Sequence, residues 1–168
     1  MSVGKTTLVN DLKETKQFKK YNFATERSKY LSNLGIPLNT DSTLKGQTVF
    51  LAERCAELMN NDIITDRTVI DVMAFTMNAK SIGHYDKEIF ESYAKEFIRE
   101  YDYIFYISPH GIPMEDNGVR ETDEHYRDII DFTITTLIKK YGHMANKIEK
   151  ISGSTDERVE QILKFTNL

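Results

Sequence analysis

Short apolar runs alternate along the chain with longer segments in which apolar residues recur every three or four positions. That spacing predicts a helix over residues 6–17, a short strand over 21–25 and a helix over 43–60, with Leu51, Ala52, Cys55, Ala56 and Met59 on one face. Residues 62–66 read as a buried strand ending in a carboxylate. Two helical stretches follow, over 68–78 and 86–100, and then a β-branched and aromatic strand, Tyr103–Ile107, closed by Ser108 and Pro109. A polar stretch over 109–121 leads into a helix near 122–141 whose inner face holds Tyr126, Ile130, Leu137 and Tyr141. A last strand, Lys147–Ile151, precedes Gly153. Ser154 and Glu157 then stand at capping-box spacing, opening a final helix through Val159, Ile162 and Leu163.

Strands alternating with helices of ten or more residues predict a parallel sheet covered on both faces, an α/β architecture with helices in the two outer layers. The 168 residues contain no Pro- or Gly-rich linker, charge block or repeat, so the expectation is one domain over 1–168. Acidic residues outnumber basic ones by 26 to 22, which argues against an overall electrostatic grip on nucleic acid. No apolar run nears the roughly 20 residues that cross a bilayer, and no basic-then-apolar leader opens the chain. One cysteine, Cys55, cannot close an internal disulfide. A cytoplasmic protein without a membrane partner is the expectation. The histidines (His84, His110, His125, His143) lack metal-ligand spacing, which argues against a zinc site.

The strongest chemical signal is Ser2-Val3-Gly4-Lys5-Thr6-Thr7, the back half of G-x-x-x-x-G-K-[ST]. Such a loop surrounds phosphate oxygens with backbone amides at a helix N-terminus, and here Lys5 would reach the outer phosphates while Thr6 would hold Mg²⁺. The first glycine of the motif would fall two positions before Met1, and the strand that should feed such a loop, the first and central one of the sheet, is missing ahead of it, so the loop is either truncated or degenerate. The natural chain is therefore expected to extend about ten residues upstream, through an apolar strand ending in Gly.

Asp66 closes the predicted strand at 62–66, where a carboxylate can serve the Mg²⁺ shell or cap the helix that starts at Thr68. Arg67 follows with a planar fork suited to phosphoryl oxygens. Glu26 can orient an attacking hydroxyl or act as a first-turn acid, and Arg27 can bind an acceptor phosphate or face solvent. Gln47 offers a donor and an acceptor to a base edge, or lies on a helix surface. Phe50 and Phe75 could stack on a base or fill the core. The polar region at about 109–127 has the composition of a lid, with Arg120 the first and Arg127 the second candidate to neutralise transferred phosphate, or simply a solvated loop.

The order Gly4-Lys5-Thr6, Thr25-Glu26-Arg27, Gln47, Asp66-Arg67 with Asp71, and Asp116-Asn117-Gly118-Val119-Arg120 resembles the nicotinamide-riboside-kinase-like (NadR-type) P-loop family. Thymidylate and deoxynucleoside kinases are similar in layout. The resemblance implies a P-loop kinase-like three-layer domain and transfer of the ATP γ-phosphoryl, with Mg²⁺, to a nucleoside or nicotinamide riboside. A nucleoside monophosphate kinase, or a regulatory ATP-binding module, is the alternative. It further implies nucleotide contacts from 2–7, Arg120, Gly153 and Ser154, acceptor contacts from Glu26, Arg27, Gln47, Arg67 and Asp71, metal contacts from Thr6 and Asp66, and catalytic work by Lys5, Glu26, Asp66, Arg67 and Arg120. A homodimer is compatible with it.

Overall fold

The computed structural model describes residues 3–25, 27–112 and 123–168. In chain order these form α1 (Lys5–Glu14), β1 (Asn22–Ala24), α2 (Ser28–Asn33), α3 (Leu44–Glu57), β2 (Ile63–Thr65), α4 (Val69–Asn78), α5 (His84–Ala94), β3 (Tyr103–Ile107), α6 (Glu124–Tyr141), β4 (Lys147–Ile151) and α7 (Thr155–Thr166). The class is α/β.

Strand pairing differs from the single sheet that the sequence pattern suggests. Among the described residues β1 pairs only with β2, in parallel with Phe23 opposite Ile64, and β3 pairs only with β4, in parallel with Phe105 opposite Glu149. Side chains alternate across these strands, and the two faces serve two cores. Ile104 and Ile148 pack with α3, α4, α5 and α6, around Ile70, Met73, Ile98 and Ile130. Phe23, Ile64, Phe105, Ile107 and Ile151 pack with α1 and α7, around Leu8, Leu12 and Ile162. Helix α4 is apolar nearly all round because it is enclosed: Val69, Ile70, Met73 and Ala74 are all almost fully buried.

Helix ends follow local chemistry. The expected helix over 6–17 stops at Glu14, because Thr15 is extended and a 3-10 turn, Lys16–Phe18, swings Phe18 into the core. The stretch expected as one helix over 86–100 begins earlier, at His84, and tightens after Ala94 into a 3-10 segment that buries Ile98. Asp123 caps α6 by accepting the His125 N–H. Ser154 and Glu157 form the expected capping box on α7.

The face of α3 is rotated from the expected one. Gln47, Leu51 and Arg54 turn inward, Ala52 and Ala56 are exposed, and Met59 lies beyond the helix at 86% exposure. An arginine interrupts the apolar pattern, so periodicity alone displaces the stripe, although Leu51 and Cys55 of the expected face do pack into the core. Burial of Arg54 is tolerated because its Nη2 donates to Glu57 Oε1 at 2.7 Å.

Candidate functional site

The site is assembled where β2 ends and α1 begins. Gly4 is the N-cap of α1 with φ +74°, a left-handed conformation that favours glycine, and no side chain caps the helix start. The first-turn amides of α1 and its dipole thus give a partial positive charge beside Lys5. Arg158, buried on α7, donates from Nη1 to the Val3 carbonyl at 2.8 Å and packs against Gly4. This brace was not anticipated; nothing in a helix surface pattern marks an arginine for a partner 155 residues away.

Across from α1, the Thr6 hydroxyl donates to Oδ2 of Asp66 at 2.8 Å. Asp66 is 5% exposed, and its own N–H donates to the Ala24 carbonyl, which fixes the end of β2 beside β1. Asp66 does not cap the next helix. Thr68 does so, accepting the Ile70 N–H, while Asp71 Oδ2 accepts the Thr68 N–H at 2.9 Å. One alternative for Asp66 is thereby removed by a capping box one turn further on.

Arg67 lies 3.7 Å from Asp71 Oδ1, and its guanidinium stands 5.4 Å over the Phe75 ring. Burial works to raise the Asp71 carboxyl, but the charges of Arg67 and Lys5 and the Thr68 N–H outweigh it and hold the group below its ordinary range. Two cations and two carboxylates therefore share one end of the cleft: Lys5, Arg67, Asp66 and Asp71. Behind them Glu57 is pushed up to about 7 by burial and by the neighbouring Glu53 and Asp66 carboxylates, against the pull of Arg54. The Tyr101 hydroxyl accepts the Val69 N–H and steadies the start of α4.

Other expected residues have definite places. Val3 and Thr7 flank Lys5 on the loop and first turn; Val3 is buried, Thr7 exposed. Gln47 is 3% exposed, so it is not a surface residue. Phe50 and Phe75 are half-buried against the α4 core. Arg27 pairs with Glu53 at 3.3 Å and lies over the Tyr30 ring, remaining half exposed. Arg127 donates from Nη1 to the Ile112 carbonyl and tethers the chain beyond β3. Gly153 has φ +95°, and Ser154 is the N-cap of α7, the helix whose Arg158 reaches the Val3 carbonyl. Ser2, Glu26, the 116–119 run and Arg120 lie outside the described residues.

The cleft continues as a cavity of about 1030 Å³ that runs between β2 and β3, from Asp62 and Asp102 at their amino ends to Asp66 and Pro109 at their carboxyl ends. No group of three or more metal-ligating His, Cys, Asp or Glu side chains occurs among the described residues. The donors at the Thr6–Asp66 pair are hard oxygens, which suit Mg²⁺ completed by phosphate and water rather than a closed protein cage. No helix of the described residues is long and apolar enough to cross a membrane.

The family model of the AAA domain matches residues 1–158. The chain belongs to the AAA domain family. It is therefore a P-loop NTPase-like protein, and the family implies nucleotide binding, usually with Mg²⁺. No match was found among curated proteins or among solved structures.

Proposed function

We propose that the protein is an ATP-dependent phosphotransferase acting on a small nucleoside-type acceptor with Mg²⁺, in the manner of the NadR-type kinases it resembles. The hydrogen bond between Thr6 and Asp66 carries this reading, because it brings the loop hydroxyl and the strand-end carboxylate to one point beside Lys5. Thr6 and Asp66 would hold the metal, which when bound neutralises phosphate charge. Lys5 and the first-turn amides of α1 bind the outer phosphates. Arg67, oriented by Asp71 and Phe75, grips a phosphoryl oxygen. Glu26 orients the acceptor hydroxyl and Arg120 neutralises charge developing in transfer, roles that rest on the sequence resemblance. Gln47 would read a base edge, a role that rests on the sequence resemblance; its side chain is buried on α3.

The state of Arg27 favours a nucleoside over a nucleoside monophosphate. It was the one candidate for a second phosphate clamp, and it is paired with Glu53 at 3.3 Å. A regulatory ATP-binding module is the rival that the family also accommodates. A panel of nucleosides and monophosphates incubated with ATP and Mg²⁺ separates them. Transfer to a nucleoside well above hydrolysis supports the kinase, whereas nucleotide binding without transfer to any acceptor supports the module.

A further inference from the structure

We propose that Arg158 is a positioning residue of the phosphate site: from α7 it holds and polarises the Val3–Gly4 peptide, so that the Gly4 N–H is turned to a bound phosphate. The role rests on the phosphate loop and is separate from the choice of acceptor.

Peptide geometry carries the first half. Arg158 Nη1 donates to the Val3 carbonyl at 2.8 Å, and a Cβ on Gly4 would meet the same nitrogen at 3.4 Å. A trans peptide is planar, with its C=O and N–H on opposite sides. A Val3 carbonyl directed at α7 therefore directs the Gly4 N–H away from α7. That other side is the open one, since Val3 is buried whereas Gly4, Thr6 and Thr7 are exposed. The left-handed φ of +74° at Gly4 then carries the chain from this peptide into α1, where the Leu8 N–H returns to the Gly4 carbonyl.

Charge carries the second half. Arg158 is 8% exposed, and among the described residues it forms no ion pair with a carboxylate. Its acidic neighbours on α7 do not answer it: Asp156 and Glu160 are exposed, and the Glu157 carboxylate accepts the Ser154 N–H in the helix cap. Arg158 Nε is buried and has no hydrogen-bond partner among the described residues. A neutral amide would serve a carbonyl at a far smaller desolvation cost than a guanidinium does. The counter-charge that this site is built to receive is a phosphate, on the far side of the same peptide. A cation hydrogen-bonded to a carbonyl polarises the amide, and the N–H of that amide becomes a stronger donor. One peptide unit thus relays the buried charge to the anion, while Lys5 serves the anion from within the cleft.

The test measures binding of inorganic tripolyphosphate with Mg²⁺ by calorimetry, to the unaltered chain and to Arg158→Lys, Arg158→Gln and Arg158→Met. Lys5→Ala is the reference for loss. Lysine keeps a charge and one donor, all that a single Nη1 bond requires, and is expected to bind within about threefold of the unaltered chain. Glutamine keeps only a neutral donor and methionine keeps none. Both are expected to weaken binding on the order of tenfold. Circular dichroism melts identify the folded variants. In the unaltered chain, the Gly4 amide and Arg158 Nε–H resonances are both expected to shift when tripolyphosphate is added. Where a variant does not fold, these two resonances decide. Undiminished affinity in the folded glutamine and methionine variants overturns the role, as does a lysine variant as weak as methionine. Unmoved Gly4 and Arg158 resonances overturn it too. A loss at Lys5→Ala without one at Arg158 removes Arg158 and leaves the phosphate site standing. No phosphoryl transfer is measured, so failure here is distinguishable from failure of the kinase reading.

Discussion

The Thr6 hydroxyl and the Asp66 carboxylate, 60 residues apart in the chain, meet at 2.8 Å and join the start of α1 to the end of β2. Asp66 is nearly buried, so the hydroxyl stands in for part of the solvation that the carboxylate has lost. Thr6→Val is expected to lower stability by about 1–3 kcal/mol and Thr6→Ser to retain most of it. Urea unfolding at pH 7 checks both. Equal losses for the two variants would show that the methyl, not the hydroxyl, matters.

Asp71 links the cations of the site to acid stability. Its pKa is depressed, so it contributes stability above the usual aspartate range, which is lost as pH falls through the lower folded value. Lys5→Ala and Arg67→Met each remove a charge that holds it down. Both are expected to move the acid-unfolding midpoint to higher pH, measured by circular dichroism between pH 2 and about pH 6. An unchanged midpoint would place the two cations elsewhere in solution.

Glu57 has the opposite sign. Its folded value near 7 lies above the ordinary 4.5, so the folded protein binds the extra proton and loses stability as pH rises between those limits. Glu57→Gln keeps an acceptor for Arg54 and removes the charge. The variant is expected to be more stable at pH 8 by about 1–3 kcal/mol, with a flatter profile from pH 5 to 7. Denaturant midpoints across that range test it.

Gly153 is held at φ +95°, and a Cβ there would come within 2.3 Å of a Glu157 carboxylate oxygen. Gly153→Ala is expected to cost about 1–2 kcal/mol through backbone strain and a disturbed α7 cap. Thermal unfolding reads the loss, and Gly83→Ala, at an ordinary φ of −66°, is the comparison.

Periodicity made the two strands Tyr103–Ile107 and Lys147–Ile151 and the α7 cap legible in the sequence, because apolar pattern and cap chemistry agree there. It failed on α3, where Arg54 is buried through a partner one turn away and the stripe is not purely apolar. The phosphate loop, Asp66 and Arg67 were legible because each is tied to a strand end or helix start, which local residues specify. Arg158 was not, since its role is set by a carbonyl at the far end of the chain. Nor could local sequence announce the division into two strand pairs. Strand existence is local, whereas pairing is set by contacts distant in sequence.

The most direct measurement is equilibrium binding of ATP, with and without Mg²⁺, to the unaltered chain and to its Thr6→Val, Asp66→Asn and Lys5→Ala variants. Mg²⁺-dependent binding is expected in the unaltered chain. Thr6→Val and Asp66→Asn are expected to lose the metal dependence, and Lys5→Ala to weaken binding at least about tenfold, a difference near 1.4 kcal/mol. ATP binding that ignores Mg²⁺ and survives all three substitutions would contradict a nucleotide site built on Lys5, Thr6 and Asp66.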